Sequence, residues 1–137
     1  MKSVSDEQLN ATCQLIRERL ADVLAVYVFG SQATDTATPE SDTDLAVLVE
    51  GYADSNQLFV LAGVLSDILK TPVDLVDFRA ATTVLQAQIL NEGLALWRSD
   101  TNVEAYERAI MRDKYDLDIR RKDQLLEVKE RGFVYDK

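Results

Sequence analysis

Seven consecutive apolar residues, Val23 to Phe29, run directly into Gly30-Ser31, and ten residues later Asp42-Thr43-Asp44 opens a second apolar run, Leu45 to Val49. No other stretch constrains the chain as strongly. An unbroken apolar run of this length suits a central strand buried on both faces. Glycine at its end lets the backbone come close to a ligand. The serine hydroxyl and the N–H groups beyond it can donate to phosphate oxygens.

Side chains alternate along an extended chain, so Asp42 and Asp44 point the same way with Cα atoms roughly 7 Å apart. Two carboxylates at that spacing can converge on a hard cation such as Mg²⁺. Two such ions about 3.5–4 Å apart clamp the attacking and leaving oxygens of a phosphoryl displacement. Each half of the pattern is weak alone. A Gly-Ser is usually a turn, and one Asp-x-Asp in an acidic chain is usually a solvated strand end. The order strand, Gly-Ser, loop, Asp-x-Asp, strand is what carries information.

The segment FGSQATDTATPESDTDLAVLV resembles the Gly-Ser, ten-residue, Asp-x-Asp signature of the polymerase-beta-like nucleotidyltransferases. It is most similar to the minimal nucleotidyltransferases (MNT) paired with HEPN-domain proteins in toxin–antitoxin systems. The resemblance spans residues 5–98 and is most specific over 29–49. It implies an α/β (α+β) fold, a mixed sheet of about four strands flanked by helices. It also implies two Mg²⁺ ions, ATP as substrate, and transfer of AMP to a tyrosine hydroxyl of a HEPN ribonuclease toxin, which would block RNA binding by charge and volume. Gly30 and Ser31 would bind nucleotide, while Asp42 and Asp44 would hold metals that grip the triphosphate. The sequence departs from the family at Gln32, where a basic residue is frequent, and at Thr43, where Ile is frequent. Neither change removes a metal ligand.

A third carboxylate is expected from Val73-Asp74-Leu75-Val76-Asp77, which reads as a short strand after Pro72. Asp74 and Asp77 are three apart and so face opposite sides. An aspartate inside a short buried strand is costly unless paired or bound to metal. Asp74 is the preferred ligand, and the family's third carboxylate matches this Asp-Leu-Val position. Asp77, at the strand end, is expected to cap the turn before Arg79, and remains the alternative third carboxylate.

The remaining elements follow from periodicity. Ser5-x-x-Gln8 is a capping box opening a helix to Asp22, with Leu9, Cys13, Ile16 and Leu20 facing the core. Asn56 to Lys70 is a second helix, with Leu58, Leu61, Ala62, Leu65, Ile68 and Leu69 on one face. Thr83 to Glu92 is a third, turning Leu85, Ile89 and Leu90 inward before a C-cap at Gly93. Leu94 to Trp97 is expected as an edge strand, with Trp97 in packing rather than base stacking. Asn102 to Arg131 reads as a long helix bearing Arg120-Arg121-Lys122 on a solvated face. That helix and the tail Phe133-Val134-Tyr135 either pack on the domain or dock a partner. The expected organisation is a nucleotidyltransferase domain over residues 1–100 and a helical extension over 101–137.

Charge narrows the function further. Of the net −9, residues 1–100 carry 15 acidic and 6 basic side chains, while 101–137 carry 9 of each. No Lys or Arg lies between Arg19 and Lys70. Binding a long nucleic acid needs a basic track, which argues against a polymerase. Triphosphate charge must then be met by metal ions and backbone N–H groups. With no His, the usual zinc sites and His-based catalysis are excluded. One Cys, the lack of a signal-like start and the absence of an apolar span suit a cytoplasmic protein. Two other functions fit the same composition. One is an acidic antitoxin that acts by binding alone, and the other is an aminoglycoside-type small-molecule nucleotidyltransferase.

Overall fold

The computed structural model describes residues 4–30, 33, 42–99 and 103–113. Helix α1 spans Asp6–Arg19, strand β1 Val23–Phe29, strand β2 Thr43–Val49, helix α2 Ser55–Leu69, strand β3 Val73–Asp77, helix α3 Thr83–Glu92 and strand β4 Leu94–Arg98. Residues 103–113 form a further helix, α4. No helix among the described residues is long and apolar enough to cross a membrane. The expected helix beyond residue 113, the Arg120-Arg121-Lys122 run and the aromatic tail lie outside the described residues. By its internal contacts the chain divides into Met1–Val103 and Glu104–Lys137.

The sheet order is β3-β2-β1-β4. β1 pairs antiparallel with β2 and β4, and β2 pairs parallel with β3. The sheet is therefore mixed, with the two most apolar strands at its centre and the five-residue strands at its edges. Alternation sorts the side chains. Val26, Val28, Leu45, Val47, Val49 and Leu75 share one core with α1 and α2, built on Leu9, Ile16, Leu61 and Leu65. Tyr27 faces the other side, where its ring lies 5.5 Å from that of Phe78.

Local chemistry explains the helix boundaries. Ser5 Oγ accepts from the Gln8 N–H, and the Gln8 side chain accepts from the Ser5 N–H, closing the capping box. α1 ends at Arg19, three residues before the expected Asp22, because Leu20 is already extended and Asp22 turns left-handed at φ 56°. Asp54 caps α2, and Lys70 ends it in the left-handed region before Pro72. One helix-face expectation fails. Ile68, expected on the core face of α2, is 49% exposed. On α3 the fully buried side chains include Gln86 as well as Ile89. The Gln86 amide is held there because Nε2 donates to the Phe78 carbonyl at 2.9 Å.

Candidate active site

β1 delivers Gly30 to the sheet's end with φ +72°, a left-handed conformation that favours glycine. Its neighbour on β2 is Asp44, paired with Phe29 in the antiparallel ladder. The approach is so close that a β-carbon on Gly30 would lie 2.5 Å from Asp44 Oδ2. The Ala33 N–H donates to the Gly30 carbonyl at 3.1 Å, closing a turn after the strand. Ser31, expected to contact phosphate, lies outside the described residues, as do Gln32 and residues 34–41.

The three aspartates come from one face of two strands. Asp42 immediately precedes β2, two residues before Asp44, and so projects to the same side. Asp44 and Asp74 share one position of the parallel β2–β3 ladder, which also sets their side chains on one face. Asp42 and Asp74 are exposed, and Asp44 is half-buried. Partial burial, then the charges of Asp74 and Asp42, push the Asp44 carboxyl above its ordinary value.

Asp77 does something else. It is only 7% exposed, and its two oxygens accept from the Ala53 N–H at 2.9 Å and the Arg79 N–H at 3.0 Å. It thus caps the turn before Arg79 and also ties down the loop before α2. The burial cost that singled out a strand aspartate applies to Asp77, which meets it with backbone donors, and not to the exposed Asp74. Register, rather than burial, is what aligns Asp74 with Asp44.

Among the described residues, no group of three His, Cys, Asp or Glu side chains is drawn together tightly enough to hold a metal ion as it stands. The donor chemistry nevertheless suits a hard cation: three carboxylates on one face, and no Lys or Arg from position 20 to 69 to neutralise them. Beyond burial, the larger cause, the Asp74 and Asp42 repulsion that helps raise the Asp44 carboxyl is what a divalent cation would relieve.

Trp97 is half-buried, and the Arg17 guanidinium stacks on it 3.9 Å from the ring centroid. It packs an edge strand against α1, away from the carboxylates. Two supporting residues escaped sequence reasoning. Gln86 is one, since an amide among apolar helix neighbours reads as surface. Ser66 is the other: its Oγ accepts from the Val73 N–H at 2.9 Å, fixing the start of β3 on α2.

Known proteins share this frame. Residues 11–102 match the polymerase beta nucleotidyltransferase family. The protein adenylyltransferase MntA of Shewanella oneidensis is 35% identical over 97 residues, covering 71% of this chain and 70% of that protein. A crystal structure of a toxin–antitoxin with AMP-PNP superposes with a TM-score of 0.74 at 28% identity, covering 92% of this chain and 99% of that one. The structure of a tri-AMPylated Shewanella oneidensis HEPN toxin in complex with MNT antitoxin gives a TM-score of 0.64 at 29% identity, covering 90% and 98%. The matched residues include Gly30, Asp42, Asp44 and Asp74 and all four strands. By that match and by MntA's likeness over two thirds of both chains, this chain belongs to the polymerase-beta nucleotidyltransferases, as an enzyme of their minimal nucleotidyltransferase (MNT) branch.

Proposed function

We propose that this chain is a Mg²⁺-dependent protein adenylyltransferase that acts as an antitoxin. It transfers AMP from ATP to a tyrosine hydroxyl of a cognate HEPN-domain ribonuclease and so neutralises it. The observation that carries the reading is the alignment of Asp42, Asp44 and Asp74 on one face beside the left-handed Gly30. The adenylyltransferase name of its 35% identical relative, and the tri-AMPylated toxin bound to a related antitoxin, support the choice of nucleotide and acceptor.

Phosphoryl-group displacement needs positioning and charge neutralisation more than unusual side chains. Asp42 and Asp44 would hold the ions that grip the triphosphate, with Gly30 and Ser31 offering backbone and hydroxyl donors. Asp74 would share the ion on the acceptor side and orient the attacking hydroxyl. Bound Mg²⁺ supplies charge neutralisation and a lowered pKa for that hydroxyl. The acceptor oxygen bonds to the α-phosphorus, the α–β bridging bond breaks, and pyrophosphate leaves. Asp74 would guide the departing hydroxyl proton toward solvent. Residues 1–100 carry this chemistry in our reading, and 101–137 form an extension to it.

The test is incubation with labelled ATP, Mg²⁺ and a purified HEPN-domain toxin, read by intact mass. Adenylate increments on the toxin are the expected result. Neutralisation that survives Asp42→Ala with Asp44→Ala would instead favour an acidic antitoxin acting by binding, and adenylate on an aminoglycoside without a protein acceptor would indicate the small-molecule enzyme.

A further inference from the structure

Beside the carboxylate face, α2 and the edge strand β3 enclose a groove of about 610 Å³. Leu58, Phe59, Gly63 and Ser66 line it from α2, and Val73 and Leu75 from β3. Its apolar character is exposed rather than buried, with Phe59 81% and the adjoining Val60 63% accessible. Gly63 sits mid-helix, where glycine is less favourable than alanine. Nothing lies within 4 Å of where its β-carbon would be, so packing does not require a glycine there. A side chain at position 63 would instead project into the groove.

The β3 edge gives the groove a direction. The Thr43 N–H donates to the Pro72 carbonyl, and the Phe78 N–H to the Val47 carbonyl, at either end of the parallel ladder. Alternation between these points turns the backbone groups of Val73 and Leu75 away from β2. The Val73 N–H is taken by Ser66 Oγ, so the N–H and C=O of Leu75 are the central outward pair. A strand added here would stand roughly 4.8 Å from β3, with side chains alternating between faces. Those on the face of Val73 and Leu75 would enter the groove under α2. The residue between them would stand on the face of Asp74, within reach of its carboxylate.

We propose that the acceptor polypeptide adds to the outer edge of β3 as an extended strand, seating alternate apolar side chains in the α2–β3 groove and presenting its hydroxyl beside Asp74. The inference rests on the protein-acceptor reading above and names how that acceptor is held. Main-chain pairing supplies affinity and the pocket supplies selectivity, as in other strand additions. Charge sets the rest of the occupant's chemistry. Residues 20–69 hold eight acidic and no basic side chains, so the segment carries basic residues beside its apolar ones.

The experiment compares Gly63→Leu with the wild type and with Gln57→Leu, an exposed position on α2 outside the groove. Transfer to a HEPN-domain toxin and affinity for an ATP analogue are measured for each, and amide hydrogen exchange is followed in the wild type. Gly63→Leu is expected to raise the KM for the toxin more than about 10-fold with analogue affinity unchanged, while Gln57→Leu transfers normally. The Leu75 amide is expected to exchange more slowly when toxin is added. Equal transfer by Gly63→Leu, lost analogue binding in that variant, or an unprotected Leu75 amide would each overturn the proposal. A wild type that binds the analogue but modifies no HEPN protein would instead defeat the functional reading, and the acceptor groove with it.

Discussion

Asp44 and Asp74 occupy one position of the parallel β2–β3 ladder, so two carboxylates from different strands stand side by side on one face. Burial and the neighbouring Asp74 and Asp42 charges raise the Asp44 carboxyl. The folded chain therefore binds that proton more tightly than the unfolded chain does. This contribution to stability is fully present below the unfolded value of about 3.9 and is lost as pH rises through the raised folded value. Asp44→Asn should accordingly melt a few degrees above the wild type at pH 7 in chelator, with the gap closing toward pH 4. Added Mg²⁺ should raise the melting temperature of the wild type and not of the variant. Thermal scans across pH with and without Mg²⁺ check both. A variant less stable than wild type at pH 7 would mean that a favourable contact holds the ionised Asp44.

Asp74 and Asp77 should separate function from stability. Asp77→Ala strips acceptors from the Ala53 and Arg79 N–H groups, at a cost of roughly 1.5–3 kcal/mol for bonds to a charged partner. Asp74→Asn changes an exposed side chain and should leave stability within about 0.5 kcal/mol. Transfer should behave oppositely, falling by at least about 100-fold in Asp74→Asn and persisting in Asp77→Ala below its melting point. Denaturant unfolding paired with initial transfer rates reads both quantities.

Much of this contrast was legible in the chain. Alternation alone set Asp74 and Asp77 on opposite faces, and the end-of-strand position of Asp77 pointed to a cap. What the sequence could not show was which strand lies beside β2. That pairing is a long-range contact, and without it nothing opposes Asp74 to Asp44. The helices were readable because Leu9, Cys13, Ile16 and Leu20 recur every three or four residues and Ser5 and Gln8 cap each other. Ile68 was misjudged, and Gln86 went unread, for a common reason. Burial at each depends on what packs over that turn of helix, not on the residue's own polarity.

Cys13 offers a test of the α1 core. Burial pushes its thiol up, and the Arg17 charge opposes this only in part. The thiolate is the reactive form, so little of it exists at pH 8 in the folded chain. Alkylation by iodoacetamide should be on the order of 100-fold slower in native protein than in urea. The raised value has the same sign as at Asp44: its stability contribution is intact below about 8.5 and declines as pH climbs through the folded value. Rapid native alkylation at pH 8 would show that α1 does not hold Cys13 in the core.

Gly30 and Gly51 make a matched pair for the last prediction. Both adopt positive φ, +72° and +83°, so alanine at either carries a similar left-handed penalty of about 1–2 kcal/mol. Their surroundings differ. A β-carbon at Gly51 meets nothing within 4 Å, whereas one at Gly30 meets Asp44 Oδ2 at 2.5 Å. Gly30→Ala must therefore turn the Asp44 carboxylate aside, and displacing a catalytic group by about 1 Å can cost roughly 100-fold in rate. Both variants should lose comparable stability in urea titrations, while only Gly30→Ala loses transfer and the Mg²⁺-dependent rise in melting temperature. Equal transfer by the two would mean that the close approach of Gly30 to Asp44 has no part in placing the carboxylate for catalysis.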